Sequence, residues 1–346
     1  MRKDLLDWLV CPGCEGGEWR LERVRTEQQD VIREGWLDCA ACGARYAISD
    51  GIVDLLPQPP ASVLRERAGW ERFLQGASEE MREEWILSLP RVHEGVTSNV
   101  QSIAHWKRQA DNFSGLTELL GLSGEERVLE LGAGRCWASA HLARAGCQVV
   151  ALDVVRDRLA GGLETGDVYL QHGTPPFERV LASMEQLPFR PQTFDLVLSV
   201  ASIHHSPVLG QAVSQCARVL TGGGRLAVTS EPCYRILKDK RVDNAETEAG
   251  INEHAYSILD YRKAFGAAGL ESRYFLPGAL RAMLEEDEQA SQAGSVKSSL
   301  FGLTRRMWKG TWTRSVLRSQ WANLAGLLFL EYGLTAVAQK AVRGQG

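Results

Sequence analysis

Four of the eight cysteines lie in two closely spaced pairs, Cys11-Pro-Gly-Cys14 and Cys39-Ala-Ala-Cys42, with 24 residues between the pairs. Each CxxC turn can present two thiolates to one side of a metal ion, and Zn²⁺ prefers four such ligands in a tetrahedron. The spacing therefore predicts a structural zinc site made of Cys11, Cys14, Cys39 and Cys42, with no open position for catalysis. A redox dithiol, or two unrelated thiol pairs, is the alternative interpretation.

A second candidate for chemistry is the glycine-rich segment VLELGAG, residues 128–134. Gly132 and Gly134 follow an expected strand and precede an expected helix, where a nucleotide-like ligand can approach the backbone. Asp153 ends the next expected strand, 21 residues after Gly132, where an acid can accept hydrogen bonds from ribose hydroxyls. The alternative is that the glycines only form a turn.

The residues around this turn favour one cofactor over another. A dinucleotide-binding fingerprint has a small residue three positions after Gly134, and Trp137 stands there. Glu130, just before the glycines, would repel a pyrophosphate but suits a cationic ligand. The pattern therefore favours S-adenosylmethionine (SAM), which has a sulfonium and no phosphate, over NAD.

Candidate proton-transfer groups follow the fourth and fifth expected strands. His204 and His205 come soon after the fourth strand, and His254 lies in the segment GINEHAYS. Methyl transfer is an in-line displacement that depends mainly on alignment, and a base helps when the acceptor is a hydroxyl or a protonated amine. We therefore interpret His205, His204 and His254 as candidate catalytic residues. Packing within the scaffold is the alternative for each.

The elements that must position these residues alternate between strands and helices. Apolar runs predict strands at Val128–Leu131, Val149–Leu152, Val180–Ala182, Phe194–Val200 and Leu226–Thr229. Helices are expected at Trp137–Ala145 and Val208–Leu220, and a third begins at the capping box of Ser257 and Asp260 and ends at Gly269. This alternation predicts an α/β fold with a Rossmann-like, doubly wound, mostly parallel sheet.

The chain divides near Pro57–Pro60, where three prolines indicate a boundary. Residues 1–57 form the small cysteine module, residues 58–98 a helical connector, and residues 99–346 the large domain. The large domain begins with a helix at 99–121 and ends with a strand at Leu334–Ala338. A segment without acids, at about 289–330, has basic residues interleaved with tryptophans. We interpret it as an insertion that could bind a substrate, with an ordinary solvated helix as the alternative.

Composition excludes several classes of protein. A hydrophobic fraction of 44% and a charged fraction of 24% are those of a globular protein. The net charge of −4 is not that of a dedicated nucleic-acid binder. No run approaches the ~20 apolar residues that span a bilayer, and the N-terminus lacks the pattern of a secretory signal. We therefore expect a cytoplasmic protein with reduced thiols and no membrane span.

Several further segments, taken with the glycine turn, resemble one known family. ELGAG, VVALDV ending in Asp153, SMEQLPF, FDLVLSVASIHH and RVLTGGGRLAVTSEP are similar, in order and spacing, to the motifs of class I SAM-dependent methyltransferases of the type 11 group. The resemblance covers about residues 100–340. It implies that Glu130, Gly132 and Gly134 surround the methionine part of SAM, that Asp153 binds the ribose, and that Ser183 and Met184 flank the adenine, with Ala201 completing the set.

The cysteine module resembles a different family, the Trm112-like zinc ribbons. CPGC, CAACG and RYAISDGIVDLLP are similar to that family's motifs over about residues 5–57, although Ala47 and Val53 replace its usual prolines. Members of this family activate methyltransferases.

These observations leave three functions open. The first is methyl transfer from SAM to an oxygen or nitrogen of a small-molecule, glycan or lipid-like acceptor. The second is the same chemistry on ribosomal or transfer RNA, with the zinc ribbon contacting the RNA, although the negative net charge is unfavourable. The third is a non-catalytic partner that activates another methyltransferase, which intact cofactor motifs disfavour.

Overall fold

The computed structural model describes residues 1–28, 31–234, 244–280, 323–324, 327 and 333–342. Within these ranges the strands are β1 (Trp19–Gln28), β2 (Val31–Cys39), β3 (Arg45–Ser49), β4 (Ile52–Asp54), β5 (Arg127–Leu131), β6 (Gln148–Asp153), β7 (Glu178–Leu181), β8 (Phe194–Val200), β9 (Leu220–Glu231), β10 (Leu270–Phe275) and β11 (Leu334–Lys340). They form one sheet in the order β1-β2-β3-β4-β7-β6-β5-β8-β9-β11-β10.

The α-helices of the described residues connect and cover these strands. They are α1 (Ala61–Phe73), α2 (Glu83–Ser88), α3 (Val100–Leu120), α4 (Trp137–Arg144), α5 (Gly166–Gln171), α6 (Leu209–Val219), α7 (Ala245–Ala249) and α8 (Ile258–Ala267). The segment expected to be a helical connector contains α1 and α2. The capping box expected at Ser257 and Asp260 is confirmed, because the side chain of each residue accepts a hydrogen bond from the backbone amide of the other.

The central part of the sheet is parallel from β4 through β9, as the sequence predicts. The apolar runs that predict strands lie within β5 to β9. The interior strands are almost wholly buried because helices cover both faces, which explains why their sequences are continuous apolar runs rather than alternating ones. β11 pairs antiparallel with β9 and β10, so the predicted final strand is confirmed but lies inside the sheet.

The cysteine module shares its sheet with the larger domain. β1 to β4 form an antiparallel meander. β4 then pairs parallel with β7, and Val53 lies opposite Val180. Because the hydrogen-bond ladder runs through this pair, a local disturbance of the module reaches β7 directly. The division of the chain into 1–57, 58–98 and 99–346 remains a prediction.

The order in which successive strands are added to the sheet reverses between β5 and β8, which are parallel. β6 and β7 follow β5 on one side, whereas β8 and β9 lie on the other. The chain leaving β5 and the chain leaving β8 therefore diverge at the carboxyl ends of the strands and leave a crevice between them. The residues after these two strands are the predicted glycine loop and the predicted histidine pair.

Most of the predicted basic insertion at about 289–330 falls outside the described residues. In the described ranges, no helix is long and apolar enough to cross a membrane.

Candidate active site and cysteine cluster

A cavity of about 700 Å³ opens at the crevice between β5 and β8. Its size lies in the range of small-molecule and cofactor sites. Its floor is formed by the segments that follow β5, β6, β7, β8 and β9, and its walls by α1 and α3. Residues from each of these elements face the cavity: Gly132, Gly134, Asp153, Met184, Ala201, His204, His205, Pro232, Glu66, Trp70, Ser102 and Gln109.

The turn after β5 requires glycine at position 132. Gly132 has a φ of +58°, a conformation that L side chains rarely adopt. A Cβ atom at this position would lie 2.5 Å from Cβ of Ser202, in the segment after β8. Gly134 has a φ of +46°, and a Cβ atom there would make only an ordinary contact, 3.5 Å from the carbonyl oxygen of Gly161. Both glycines line the cavity, and their binding of a cofactor stays a prediction.

Asp153 holds the glycine turn in place from the end of β6. Its Oδ2 accepts a hydrogen bond from the amide of Gly134 at 2.7 Å, and its Oδ1 accepts one from the amide of Val155, also at 2.7 Å. Burial raises the pKa of the carboxyl, although the two amides oppose that shift. Each oxygen keeps a lone pair with which it could accept a ribose hydroxyl.

Glu130 lies beneath the glycine turn, although the sequence places it against the cofactor. It is buried on β5, does not line the cavity, and accepts a hydrogen bond from the hydroxyl of Ser139 on α4. Burial raises the pKa of Glu130 to about 8. A carboxyl with this pKa is mostly protonated at neutral pH, and it makes no direct contact with the cavity.

The segment after β7 contributes Met184 and its neighbour Glu185 to the cavity wall. The hydroxyl of Ser183, predicted to contact adenine, instead donates to the Glu185 carboxylate and does not line the cavity. Glu185 is therefore a wall residue that the sequence interpretation missed. Ala201, after β8, lines the cavity with a φ of +50°.

His204 is fixed between two carboxylates. Its Nδ1 donates to Oε2 of Glu231 at 2.7 Å, and its Nε2 lies 3.3 Å from Oε1 of Glu253. Burial disfavours the charged ring, but these carboxylates outweigh burial and raise the pKa of His204 to about 10. A ring that is protonated and bonded at both nitrogens is poorly suited to accept a proton.

His205 has the opposite electrostatic environment. Burial and the neighbouring charge of His204 lower the pKa of His205 to about 4, so its ring is neutral. Its Nδ1 lies 2.9 Å from the carbonyl oxygen of Asn252, and its ring packs edge-on against Trp70 on α1. Of the two predicted histidines that line the cavity, His205 has the neutral ring that a base needs.

His254 lies outside the cavity wall. Its ring packs against Tyr256, and its Nε2 atom is buried without a hydrogen-bond partner among the described residues. The structure therefore brings His204 and His205 together at the cavity and leaves His254 apart from them.

The connector helix α1 forms a wall that the sequence does not assign to any chemistry. Its Glu66 accepts hydrogen bonds from the indole N–H of Trp70 at 2.9 Å and from the amide of Asn252 at 2.7 Å. Burial raises the pKa of Glu66 to about 7. One glutamate among the several charged residues of this helix gives no functional signal by itself, so only the fold reveals this carboxylate.

α3 presents polar atoms without partners to the same cavity. Ser102 and Gln109 lie seven positions apart on one helix face. The hydroxyl of Ser102 and Oε1 of Gln109 are buried, and neither has a hydrogen-bond partner in the part of the chain that the structure describes. Buried polar atoms are normally paired, so these two atoms indicate where a bound molecule would supply hydrogen-bonding groups.

The four paired cysteines meet at one point, as their spacing predicts. Their sulfur atoms all lie within 4.8 Å of one another. The Sγ atoms of Cys11 and Cys42 are 3.7 Å apart, and those of Cys14 and Cys39 are 3.6 Å apart. Four sulfurs at about 2.3 Å from a zinc ion in a tetrahedron would be separated by about 3.8 Å, so this donor set fits Zn²⁺.

The cysteine cluster also contacts the segment that leads from the cavity. The carbonyl of Pro12, between the first two cysteines, accepts a hydrogen bond of 2.9 Å from the side-chain amide of Gln186. Leu9 forms a β-bridge with Phe189, and the amide of Val10 donates to the carbonyl of Pro188. The loop after Met184 is therefore attached to the cysteine module.

Comparison with known proteins identifies the central part of the chain. Residues 129–228 match the methyltransferase domain family. Over 115 residues the chain is 32% identical to the ubiquinone biosynthesis O-methyltransferase of Xylella fastidiosa strain M23. The matched segment covers 33% of this chain and 45% of that protein. Over 129 residues it is 33% identical to the sarcosine/dimethylglycine N-methyltransferase of Halorhodospira halochloris, with coverages of 36% and 43%.

One further relative is named for a different activity. Over 148 residues the chain is 28% identical to the mitochondrial arginine hydroxylase NDUFAF5 of Danio rerio, with coverages of 41% and 44%. The chain spans less than half the length of each of these three relatives.

Proposed function

We propose that this chain is a SAM-dependent methyltransferase. The observation that carries the proposal is that the matched segment, residues 129–228, supplies Gly132, Gly134 and Asp153 to one open cavity at the crevice of the sheet. The relatives named as O-methyltransferase and N-methyltransferase support methyl transfer. The acceptor class is an oxygen or nitrogen of a small-molecule, glycan or lipid-like compound.

The residues present fit SAM. The glycine turn offers bare backbone to the methionine part, and Asp153 keeps free lone pairs for ribose hydroxyls. Among the residues that the structure describes, six acidic side chains and one arginine line the cavity: Glu66, Glu80, Asp153, Glu185, Glu246 and Glu253 with Arg135. This excess of acids suits a ligand with a positive sulfonium and ammonium. When bound, SAM would supply an activated methyl group.

The neutral ring of His205 is the candidate base of the metal-free site. It faces the cavity, where it could accept a proton from a hydroxyl or ammonium acceptor. His204, held by Glu231, positions its neighbour and is a positioning residue rather than a base. Trp70, Trp106 and Trp137 line the cavity and exclude water from the reacting atoms.

The cysteine cluster is proposed to hold one structural Zn²⁺. Four thiolates would close the coordination sphere, so the ion would stabilise the module and leave no position for a substrate. Because the cysteine loop contacts the segment after Met184, the ion would also support one wall of the cavity.

Calorimetry with SAM, S-adenosylhomocysteine and NAD tests the proposal directly. We expect SAM and S-adenosylhomocysteine to bind and NAD to show no heat of binding. Incubation with methyl-labelled SAM and a cell extract, separated into RNA, protein and small-molecule pools, then identifies the acceptor. Label in the RNA pool would support RNA methylation instead. Binding of SAM without any transfer would favour a non-catalytic role or a chemistry such as hydroxylation.

A further inference from the structure

We propose that His204, His205 and Glu253 form a second metal site, which binds a divalent transition-metal ion in the cavity that the glycine turn also lines. The cysteine cluster does not contribute to this site. The metal site itself does not depend on the proposed methyl transfer, whereas its use for holding an acceptor does.

The distances among the three side chains fit one ion. Nε2 of His204 lies 3.3 Å from Oε1 of Glu253, and Nδ1 of His205 lies 3.4 Å from the same oxygen. These atoms all lie within 4.8 Å of one another. Ligand atoms at about 2.1 Å from an ion in tetrahedral geometry would be about 3.4 Å apart. The contacts are long for hydrogen bonds but match the edges of a coordination polyhedron.

A fourth donor lies beside this set. Oε1 of Glu66 is 3.5 Å from Nδ1 of His205. Glu66 belongs to α1 and Glu253 to the loop before α8, so two separate parts of the fold bring carboxylates to the histidine pair. Imidazole and carboxylate together favour ions such as Zn²⁺, Fe²⁺ or Co²⁺ over Mg²⁺ or Ca²⁺.

The surroundings of His204 have the form expected of a metal ligand. Its second nitrogen, Nδ1, donates to Glu231 at 2.7 Å, and the Glu231 carboxylate also accepts from the hydroxyl of Ser199 at 2.6 Å and from the amide of Ser202 at 3.0 Å. A carboxylate behind a histidine fixes the ring and increases its basicity toward an ion. Such a carboxylate also fixes an imidazolium, so the ligand set has to be tested by metal binding.

The charge balance of the cluster favours a cation. Three carboxylates, those of Glu66, Glu231 and Glu253, are almost fully buried around two imidazole rings. Buried charges are paired or coordinate metals, because an unpaired one costs several kcal/mol. A divalent ion would balance this excess. Its binding would release the Nε2 proton that now bonds His204 to Glu253, and the one ring proton of His205 would move from Nδ1, where it bonds the Asn252 carbonyl, to Nε2.

The ion would share one cavity with the glycine turn. If the chain binds SAM as proposed, an acceptor oxygen held by the ion would lie in the same cavity as the methyl donor. Coordination lowers the pKa of a bound hydroxyl, so the ion would replace His205 in activating the acceptor.

Cobalt titration of the metal-free full-length protein tests the proposal, because Co²⁺ reports its ligands. A cysteine site gives thiolate-to-cobalt charge-transfer absorption, whereas a histidine–carboxylate site gives only ligand-field bands. We expect two equivalents of Co²⁺ per chain, of which one gives ligand-field bands alone. His205→Gln and Glu253→Gln should remove that equivalent, and the matched control His254→Gln, in the same loop, should retain it.

Three outcomes would overturn the site. In the first, the wild-type protein saturates with Co²⁺ and no equivalent gives ligand-field bands without thiolate-to-cobalt charge transfer. In the second, both His205→Gln and Glu253→Gln keep the second equivalent of Co²⁺. In the third, His254→Gln loses that equivalent as well. Binding of methylammonium in place of the ion would mean that the cluster takes an organic cation, which also contradicts the proposal. SAM binding is measured separately, by calorimetry on the metal-free protein. A failure of the proposed methyltransferase function can therefore be distinguished from a failure of the metal site.

Discussion

A Cβ atom placed on Gly132 would lie 2.5 Å from Cβ of Ser202, so the cofactor turn and the segment leading to the histidine pair touch where only glycine fits. Ser202 also donates from its hydroxyl to the carbonyl of Leu131 at 2.6 Å and from its amide to Glu231 at 3.0 Å. This one serine connects the turn after β5 to the carboxylate that holds His204. A displacement at the glycine turn should therefore also affect the position of His204.

Gly132→Ala is the direct test of this contact. An alanine at a φ of +58° costs about 1–2 kcal/mol, and its methyl group must also displace Ser202. We expect a lower unfolding temperature and at least about a tenfold loss of SAM affinity by calorimetry. Gly210→Ala on α6, where the added methyl group meets nothing within 4 Å, is the control and should keep the affinity. Equal SAM binding by both variants would contradict the assignment of this turn.

Asp153→Asn tests the carboxylate at the end of β6. Two backbone amides donate to its two oxygens, and an asparagine can accept from only one of them with its single oxygen. We expect SAM affinity to fall by about 1–3 kcal/mol, the cost of buried hydrogen bonds left unmade. Asp167→Asn, on α5 outside the cavity, is the control. A SAM dissociation constant that does not change in Asp153→Asn would count against ribose binding here.

Cys39→Ser tests the cysteine cluster. Removal of one of four sulfurs at tetrahedral spacing should abolish the thiolate-to-cobalt absorption and lower the unfolding temperature, because metal binding contributes to folding of the module. Cys147→Ala removes a cysteine that lies outside both metal-ligand clusters. The control should keep the absorption. A wild-type spectrum in Cys39→Ser would exclude the four-cysteine site.

Glu130 predicts a pH dependence of stability. Burial raises the pKa of its carboxyl to about 8 in the folded protein, from the ordinary value of 4.5. The folded state therefore binds this proton more tightly than the unfolded state does, and the contribution to stability, complete below about pH 4.5, is lost as the pH rises toward 8.

Glu130→Gln removes this titration and keeps a group that can bond Ser139. As the pH rises from 5 to 8, the free energy of unfolding of Glu130→Gln should increase relative to that of the wild type, by at most ~1.4 kcal/mol per pH unit. Urea unfolding of the cofactor-free protein measures it. Parallel pH profiles would show that Glu130 titrates normally.

Gln109→Leu separates binding from folding. The buried Oε1 atom has no partner among the described residues, so its replacement by an apolar group should leave the unfolding temperature unchanged or raise it. If a ligand satisfies this oxygen, the SAM dissociation constant or the KM of the acceptor should rise by about 5- to 150-fold. Leu119→Ala, at an exposed position of the same helix, controls for effects on α3. A loss of stability with both constants unchanged would give Gln109 a purely structural role.

The sequence determined the local features of this protein. The two CxxC turns fix which four sulfurs converge, because each turn brings its pair together within four residues. The alternation of short apolar runs with helices determined the parallel sheet, and the capping box of Ser257 and Asp260 determined where α8 begins. Gly132 and Gly134 follow β5, and Asp153 ends β6. Because neighbouring parallel strands end at the same edge of the sheet, the sequence places these residues close together.

Only the tertiary structure decided which distant residues share the cavity. Glu66 and Asn252 bond to each other across 186 positions of the chain, and His204 and Glu253 meet across 49. The same applies to the cysteine module, whose β4 extends the large sheet by pairing with β7. Local periodicity in the sequence indicates which face of a helix or strand is apolar, but it does not indicate which other element packs against that face. Contacts of this kind therefore depend on how the whole chain folds, and their side chains show no local pattern.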